Sequence, residues 1–70
     1  MDFGVLIKRV RKELGLSQEQ LARELNISFS TVNRWENGKS NPSQMAKELF
    51  YNFCANNDVD IKKCKEEMRE

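Results

Sequence analysis

Histidine is absent from this 70-residue chain, and cysteine and proline are scarce, with two residues and one residue respectively. Without histidine the chain can form no Cys-His or Ser-His catalytic pair and no His-ligated zinc site. Cys54 and Cys64 can form at most one disulfide, and two thiolates do not complete a tetrahedral zinc site, so we expect free thiols in a cytoplasmic protein. No nucleophile with a neighbouring base is apparent, so we expect neither an enzyme nor a bound metal or cofactor.

Long apolar runs and a strong charge of one sign are also lacking. No window approaches the length of a membrane span, and the start, MDFGVLIKRVRKE, has too short an apolar run to be a signal peptide. The net charge is only +1. Residues 1–40 carry seven basic and five acidic side chains, whereas residues 41–70 carry five and six. Only a mild preference for anions is therefore expected, toward the N-terminal end.

Helical periodicity dominates the chain, and no segment alternates as a strand would. Apolar spacing, capping residues and helix-ending residues together predict five short helices in a single domain over residues 1–70. The first is expected to begin at the cap Asp2 and to end at Gly15. The other predicted boundaries are Ser17 to Asn26, Ser28 to Asn37, a start at Ser43 and a start at Asp60.

The last two predicted helices each carry apolar residues at helical spacing. The fourth is expected to carry a wide apolar stripe consisting of Met45, Ala46, Leu49, Phe50 and Phe53. One face of the fifth carries Ile61, Cys64 and Met68. These residues either close the core or form part of a dimer surface, which the sequence does not locate.

Helices two and three have the spacing of a more specific unit. Leu21 and Leu25 share one face of the second helix, and Val32 and Trp35 share one face of the third. The three-residue turn NIS separates the two helices, and Ala22 is small enough to let them cross closely. This pattern predicts a helix-turn-helix, two helices joined at a steep angle by a short turn.

The stretch LGLSQEQLARELNISFSTVNRWENGKSNPS resembles the helix-turn-helix of the lambda-repressor/Cro-like (Xre) family of bacterial and phage DNA-binding proteins. The matching features are Gln18 at the start of helix two, Leu21-Ala22, the turn, Trp35-Glu36 and the closing NGKSNPS. The likeness covers about residues 3–56, with the helix-turn-helix proper at about 18–37. Asn26 departs from the family, which most often has Gly there, although Asn also tolerates positive φ. The resemblance implies a compact, all-α, five-helix domain that binds DNA.

The third helix has a polar face opposite Val32. A helix with such a face fits the major groove, where each base pair presents a distinct pattern of donors and acceptors. We expect helix 29–36 to enter that groove, Arg34 to grip guanine and Phe29 to touch a thymine methyl group, although any solvated helix face is also polar. The candidate base-reading residues are Phe29, Ser30, Asn33 and Arg34.

Residues around this face are expected to contact the DNA backbone and fix the register of the protein. Helix N-termini attract anions, and the resemblance implies further contacts in the loop after helix three. The candidate phosphate-contacting residues are Ser17, Gln18, Ser28, Asn37 and Lys39. Capping alone accounts for the serines, and a solvated loop position alone accounts for Lys39.

Glu36 falls near the buried side of the third helix, where an unpaired carboxylate would be costly. The family pairs this carboxylate with an arginine near the end of helix one, and Arg11 occupies the matching position. The resemblance therefore implies a partly buried Arg11–Glu36 ion pair. The residues expected to be structural are Arg11, Ala22, Val32, Trp35 and Glu36.

The leading hypothesis is sequence-specific binding to double-stranded DNA by a homodimer that regulates transcription, with repression favoured. Dimers of this type place two recognition helices about one helical turn of DNA apart. Two alternatives stay open: an antitoxin that uses the same domain and also binds a toxin, and a helical module whose polar face binds a protein. No membrane partner is expected.

Overall fold

The computed structural model describes residues 3–63, and this part of the chain is helical and contains no strand. The helices are α1 (Phe3–Glu13), α2 (Gln18–Leu25), α3 (Phe29–Glu36) and α4 (Gln44–Asn56). Residues 61–63 are also helical and are called α5, and the backbone N–H of Lys63 donates to Asp60 Oδ1 at 3.2 Å. The predicted all-α fold is therefore confirmed. The predicted cap Asp2, and the positions of Cys64 and Met68, lie outside the described residues.

Serine caps start three of the helices, as the sequence predicts. Ser17 and Gln20 form a capping box, in which each side chain accepts a hydrogen bond from the backbone N–H of the other. Ser28 Oγ accepts from the backbone of Thr31, and Ser43 is the cap of α4. Each hydroxyl satisfies a backbone N–H group that has no partner within its own helix.

Residues with left-handed backbone conformation end the first three helices. Gly15 follows α1 with a φ of 69°, and Asn26 follows α2 with a φ of 58°. Asn26 thus adopts the positive φ expected of it. After α3, Gly38 has a φ of 70°, and its N–H donates to the Trp35 carbonyl while that of Lys39 donates to Arg34. This pair of bonds is a Schellman motif, which fixes the direction of the loop leaving α3.

The core lies where α1, α2, α3 and α4 meet. Its fully or largely buried apolar residues are Leu6, Ile7, Val10, Leu21, Ala22, Leu25, Val32, Trp35, Phe50, Phe53 and Cys54. Ile27, in the turn between α2 and α3, packs against this core from its edge. Gly4 lets α1 approach α3 closely, because a Cβ atom at residue 4 would overlap the Trp35 carbonyl oxygen. The α2–α3 unit therefore contacts α1 through α3, and its turn contacts the core through Ile27.

The core covers only part of the apolar stripe predicted for α4. Met45 is 74% exposed and Leu49 is 46% exposed, whereas Phe50 is fully buried. At 100° per residue Leu49 lies about 100° around the helix from Phe50, and Met45 about 140°. The face that the core covers is narrower than the run of apolar residues. Among residues 3–63 no helix is long and apolar enough to cross a membrane.

Candidate functional site

The two sides of α3 differ in exposure. Val32 is fully buried and Trp35 is 6% exposed. On the other side Ser30 and Arg34 are exposed to solvent, and Phe29, at the start of the helix, is 47% exposed. The helix therefore presents a hydroxyl, a guanidinium and an aromatic ring outward on a rigid backbone.

Arg11 and Glu36 form the ion pair that the resemblance implies. Arg11 Nε donates to Glu36 Oε2 at 2.8 Å, and Arg11 Nη2 donates to Glu36 Oε1 at 2.9 Å, so the pair is bidentate. The side chains are 13% and 3% exposed, respectively. The hydrogen bond to Glu36 raises the pKa of Arg11 above its usual value. A permanently charged guanidinium thus joins α1 to the C-terminal end of α3.

Arg11 also supports the start of the helix-turn-helix. Its Nη1 donates to the Leu16 carbonyl oxygen at 2.9 Å, directly before the capping box of α2. The guanidinium therefore ties three segments together: α1, the loop before α2, and α3. Arg34, by contrast, is exposed on the same helix as Glu36 and is available to a ligand.

Gln18 is half-buried and has a second role that sequence reasoning missed. Its Nε2 donates to Glu36 Oε1 at 3.1 Å, and its Oε1 accepts from Asn33 Nδ2 at 3.1 Å. Gln18 therefore links the start of α2 to two turns of α3. The signal available in the sequence was a long amide side chain on the helix facing Glu36, a carboxylate that needs several donors.

Asn33 is half-buried rather than fully outward, because its side chain turns toward α2. Its Nδ2 contacts Gln18, and its Oδ1 accepts from Asn37 Nδ2 at 3.0 Å. Asn37 itself is exposed. The structure thus brings together three predicted site residues, Gln18, Asn33 and Asn37, in one hydrogen-bonded series on the outward side.

The remaining predicted phosphate-contacting residues lie at the rim of this surface. Ser17 and Ser28 are exposed, and the oxygen of each already caps its helix. Ser28 Oγ also lies 2.7 Å from Thr31 Oγ1, a contact that sequence reasoning missed. Lys39 is exposed in the loop after α3. No group of three or more potential metal-binding side chains occurs within residues 3–63.

A helix-turn-helix family model matches residues 7–46 of the chain. This range includes α2 and α3, most of α1 and the first residues of α4. It therefore contains every residue of the hydrogen-bonded series between Arg11 and Asn37.

Three relatives have similar sequences. The HTH-type transcriptional activator BcrR of Enterococcus faecalis is 32% identical over 53 residues, 76% of this chain and 26% of that protein. An uncharacterized HTH-type transcriptional regulator of Methanothermobacter thermautotrophicus is 45% identical over 38 residues, 54% of this chain and 55% of that protein. The type II methyltransferase M1.ScrFI of Lactococcus lactis subsp. cremoris is 33% identical over 55 residues, 74% of this chain and 14% of that protein. The chain thus spans between about a seventh and about half of the length of these relatives.

Proposed function

This chain belongs to the helix-turn-helix family of lambda-repressor-like DNA-binding domains, and on that premise we propose that it binds specific sites in double-stranded DNA and regulates transcription. The observation that carries the proposal is the outward side of α3. It is exposed, polar and centred on Arg34, while the opposite side of the same helix is anchored in the core.

In the proposed complex α3 lies in the major groove, which is wide enough to admit a helix. Arg34 forms two parallel hydrogen bonds with guanine O6 and N7, and Ser30 bonds a neighbouring base edge. Phe29 contacts a thymine methyl group, which is an apolar feature of the major groove. Nearly half of the Phe29 surface is exposed, so the ring is accessible for this contact. These contacts read sequence, and the anchored side of α3 fixes their position relative to the domain.

The phosphate contacts flank this helix. Gln18 is the first residue of α2, where the helix dipole favours an anion. Ser17 and Ser28 offer hydroxyl groups beside it, in addition to their capping roles. Asn37 and Lys39 meet the backbone on the other side of α3, where the Schellman motif directs the loop. Contacts of this kind set register and carry no sequence information of their own.

We further propose that residues 1–70 act as one domain that pairs with a second copy on a palindromic operator. Helix-turn-helix dimers bind half-sites whose centres lie about one helical turn of DNA apart. Repression by occlusion is the simplest outcome, since it requires only that the operator be occupied. Recruitment would require a further contact with the transcription machinery. A toxin partner stays a prediction that no feature of the described residues favours.

Titration against duplex DNA at several salt concentrations tests the proposal. The logarithm of the binding constant is expected to fall linearly with the logarithm of the salt concentration, because each phosphate contact releases a counterion. Selection of preferred sites from a random DNA pool should then yield two half-sites, and their spacing reports the oligomeric state. Absence of salt-dependent binding to any duplex would overturn the proposal and leave the protein-interaction module as the remaining alternative.

A further inference from the structure

Three side-chain amides on the outward side form hydrogen bonds that all run in one direction. Asn37 donates to Asn33, and Asn33 donates to Gln18. Gln18 in turn donates to Glu36, the carboxylate held by Arg11. We call the three amides, Gln18, Asn33 and Asn37, the amide relay. It runs from a nearly buried carboxylate to the exposed end of α3.

Glu36 imposes the direction of the amide relay. A carboxylate paired with a guanidinium can only accept hydrogen bonds, so Gln18 must turn its NH₂ group toward Glu36. The Gln18 oxygen then faces Asn33, which must donate to it. The Asn33 oxygen is left facing Asn37, and it accepts there. Reversing any one amide would place two oxygens, or two N–H groups, against each other.

The direction of the relay decides what Asn33 can offer a ligand. An amide nitrogen carries two N–H groups, and the relay engages only one of those on Asn33. Its oxygen already accepts a bond from Asn37. Buried N–H groups without partners are rare in proteins, whereas carbonyl oxygens with a single partner are better tolerated. A surface that covers Asn33 must therefore supply an acceptor.

We propose that the amide relay makes Asn33 a hydrogen-bond donor toward DNA, so that the base opposite it must present an acceptor in the major groove. Guanine offers N7 and O6, adenine offers N7, and thymine offers O4, whereas cytosine presents only the donor N4. Asn33 thus acts as a specificity-determining residue that rejects cytosine at one position of each half-site. This inference rests on the proposed function and specifies what one residue of that site reads.

Site selection from a random DNA pool tests the role of Asn33. The wild-type chain should exclude cytosine at one half-site position, and Asn33→Ala should reduce that exclusion about two- to tenfold, as expected for one hydrogen bond. Asn33→Asp, whose side chain only accepts, should select cytosine there. Asn52→Ala removes an exposed asparagine of α4 and should leave every position unchanged. The inference would be overturned if the wild-type chain tolerated cytosine at every half-site position. It would also be overturned if Asn33→Ala left the base preferences unchanged.

Asn37→Ala tests whether the relay sets the behaviour of Asn33. It releases the Asn33 oxygen, so the tolerance for cytosine at the Asn33 position should rise two- to tenfold, beyond any uniform loss of affinity from a missing phosphate contact. In the free protein, the same change should shift the side-chain NH₂ resonances of Asn33 and Gln18. Unchanged base preference or unshifted resonances would overturn the relay.

The two proposals fail in different ways. If the wild-type chain binds no duplex, the proposed function falls and the specificity of Asn33 falls with it. If the chain binds DNA but accepts cytosine at each position as readily as the other bases, only the inference about Asn33 falls. Circular dichroism of each variant separates loss of binding from loss of folding. If Asn33→Asp does not fold, the base preference of Asn33→Ala alone tests the inference.

Discussion

The two sides of α3 differ in their surroundings: one is buried in the core and the other faces solvent. Inward, Val32 and Trp35 are packed against other apolar side chains and have almost no contact with water. Outward, Arg34 and Ser30 are exposed, and Asn33 is fixed by hydrogen bonds to other side chains. Burial of apolar surface dominates folding free energy, whereas exposed polar groups contribute little. The inward side should therefore govern stability, and the outward side should govern binding.

Trp35→Ala should produce the largest effect of any single change in α3. Truncating a buried tryptophan costs about 3–5 kcal/mol, and a domain of this length has only about 4–10 kcal/mol of stability. Phe29→Ala is the matched control on the outward side, and it should change stability by less than about 1 kcal/mol. Urea denaturation followed by circular dichroism measures both. Equal destabilisation by the two changes would contradict the division of α3 into two sides.

Arg11→Ala should be next in size. It leaves the nearly buried Glu36 carboxylate with Gln18 as its only remaining side-chain donor among the described contacts, and removing one partner of a buried pair costs about 3 kcal/mol. Arg11→Lys should recover only part of this, because lysine cannot form the bidentate pair. Lys12→Ala, at an exposed neighbour on α1, is the control. A denaturation midpoint of Arg11→Ala as high as that of the control would show that the pair contributes nothing.

The helix-turn-helix could be predicted from the sequence because several local signals agree there. Ser17 with Gln20 indicates a helix start, Asn26 a left-handed helix end, and the apolar positions of α2 and α3 point to a common core. The buried face of α4 could not be predicted in the same way, because Met45 and Leu49 fit the helical spacing of apolar residues without being buried. Which flank of an apolar stripe the core covers depends on how neighbouring helices cross, and one-dimensional spacing does not contain that information.

The outward surface was predictable by residue but not by contact. Asn33 and Asn37 lie four residues apart, a spacing at which side chains of one helix meet, whereas the hydrogen bond from Asn33 to Gln18 depends on the distance between α2 and α3. Ala22 on α2 is small and almost fully buried, which allows a close approach of the two helices, and Arg11 links α3 to the loop before α2 through Glu36 and the Leu16 carbonyl. The hydrogen bonds that join Gln18 to α3 therefore depend on the tertiary fold, and they become visible only in the three-dimensional structure.

Arg34→Ala should separate binding from stability on the outward side. Loss of a bidentate contact with guanine should cost about 1–3 kcal/mol of discrimination at one base position, while the free energy of unfolding should change little. Competition binding with operators that differ at single positions measures the first quantity, and urea denaturation the second. Arg34→Lys should restore charge but not the paired geometry. A loss of affinity that is equal for every sequence would assign Arg34 to the phosphate backbone instead.

Lys39→Ala should have the smallest effect, because its side chain lies in an exposed loop beyond α3. A single phosphate contact should weaken binding to all sequences alike and lower the salt-dependence slope by about one. Lys62→Ala removes the same charge from an exposed position in α5, so it controls for the change in net charge. Affinity measured at several salt concentrations distinguishes the two variants. If Lys39→Ala weakened binding to some DNA sequences more than to others, Lys39 would contact bases rather than phosphate. If the salt dependence of binding had the same slope in both variants, Lys39 would not contact the DNA.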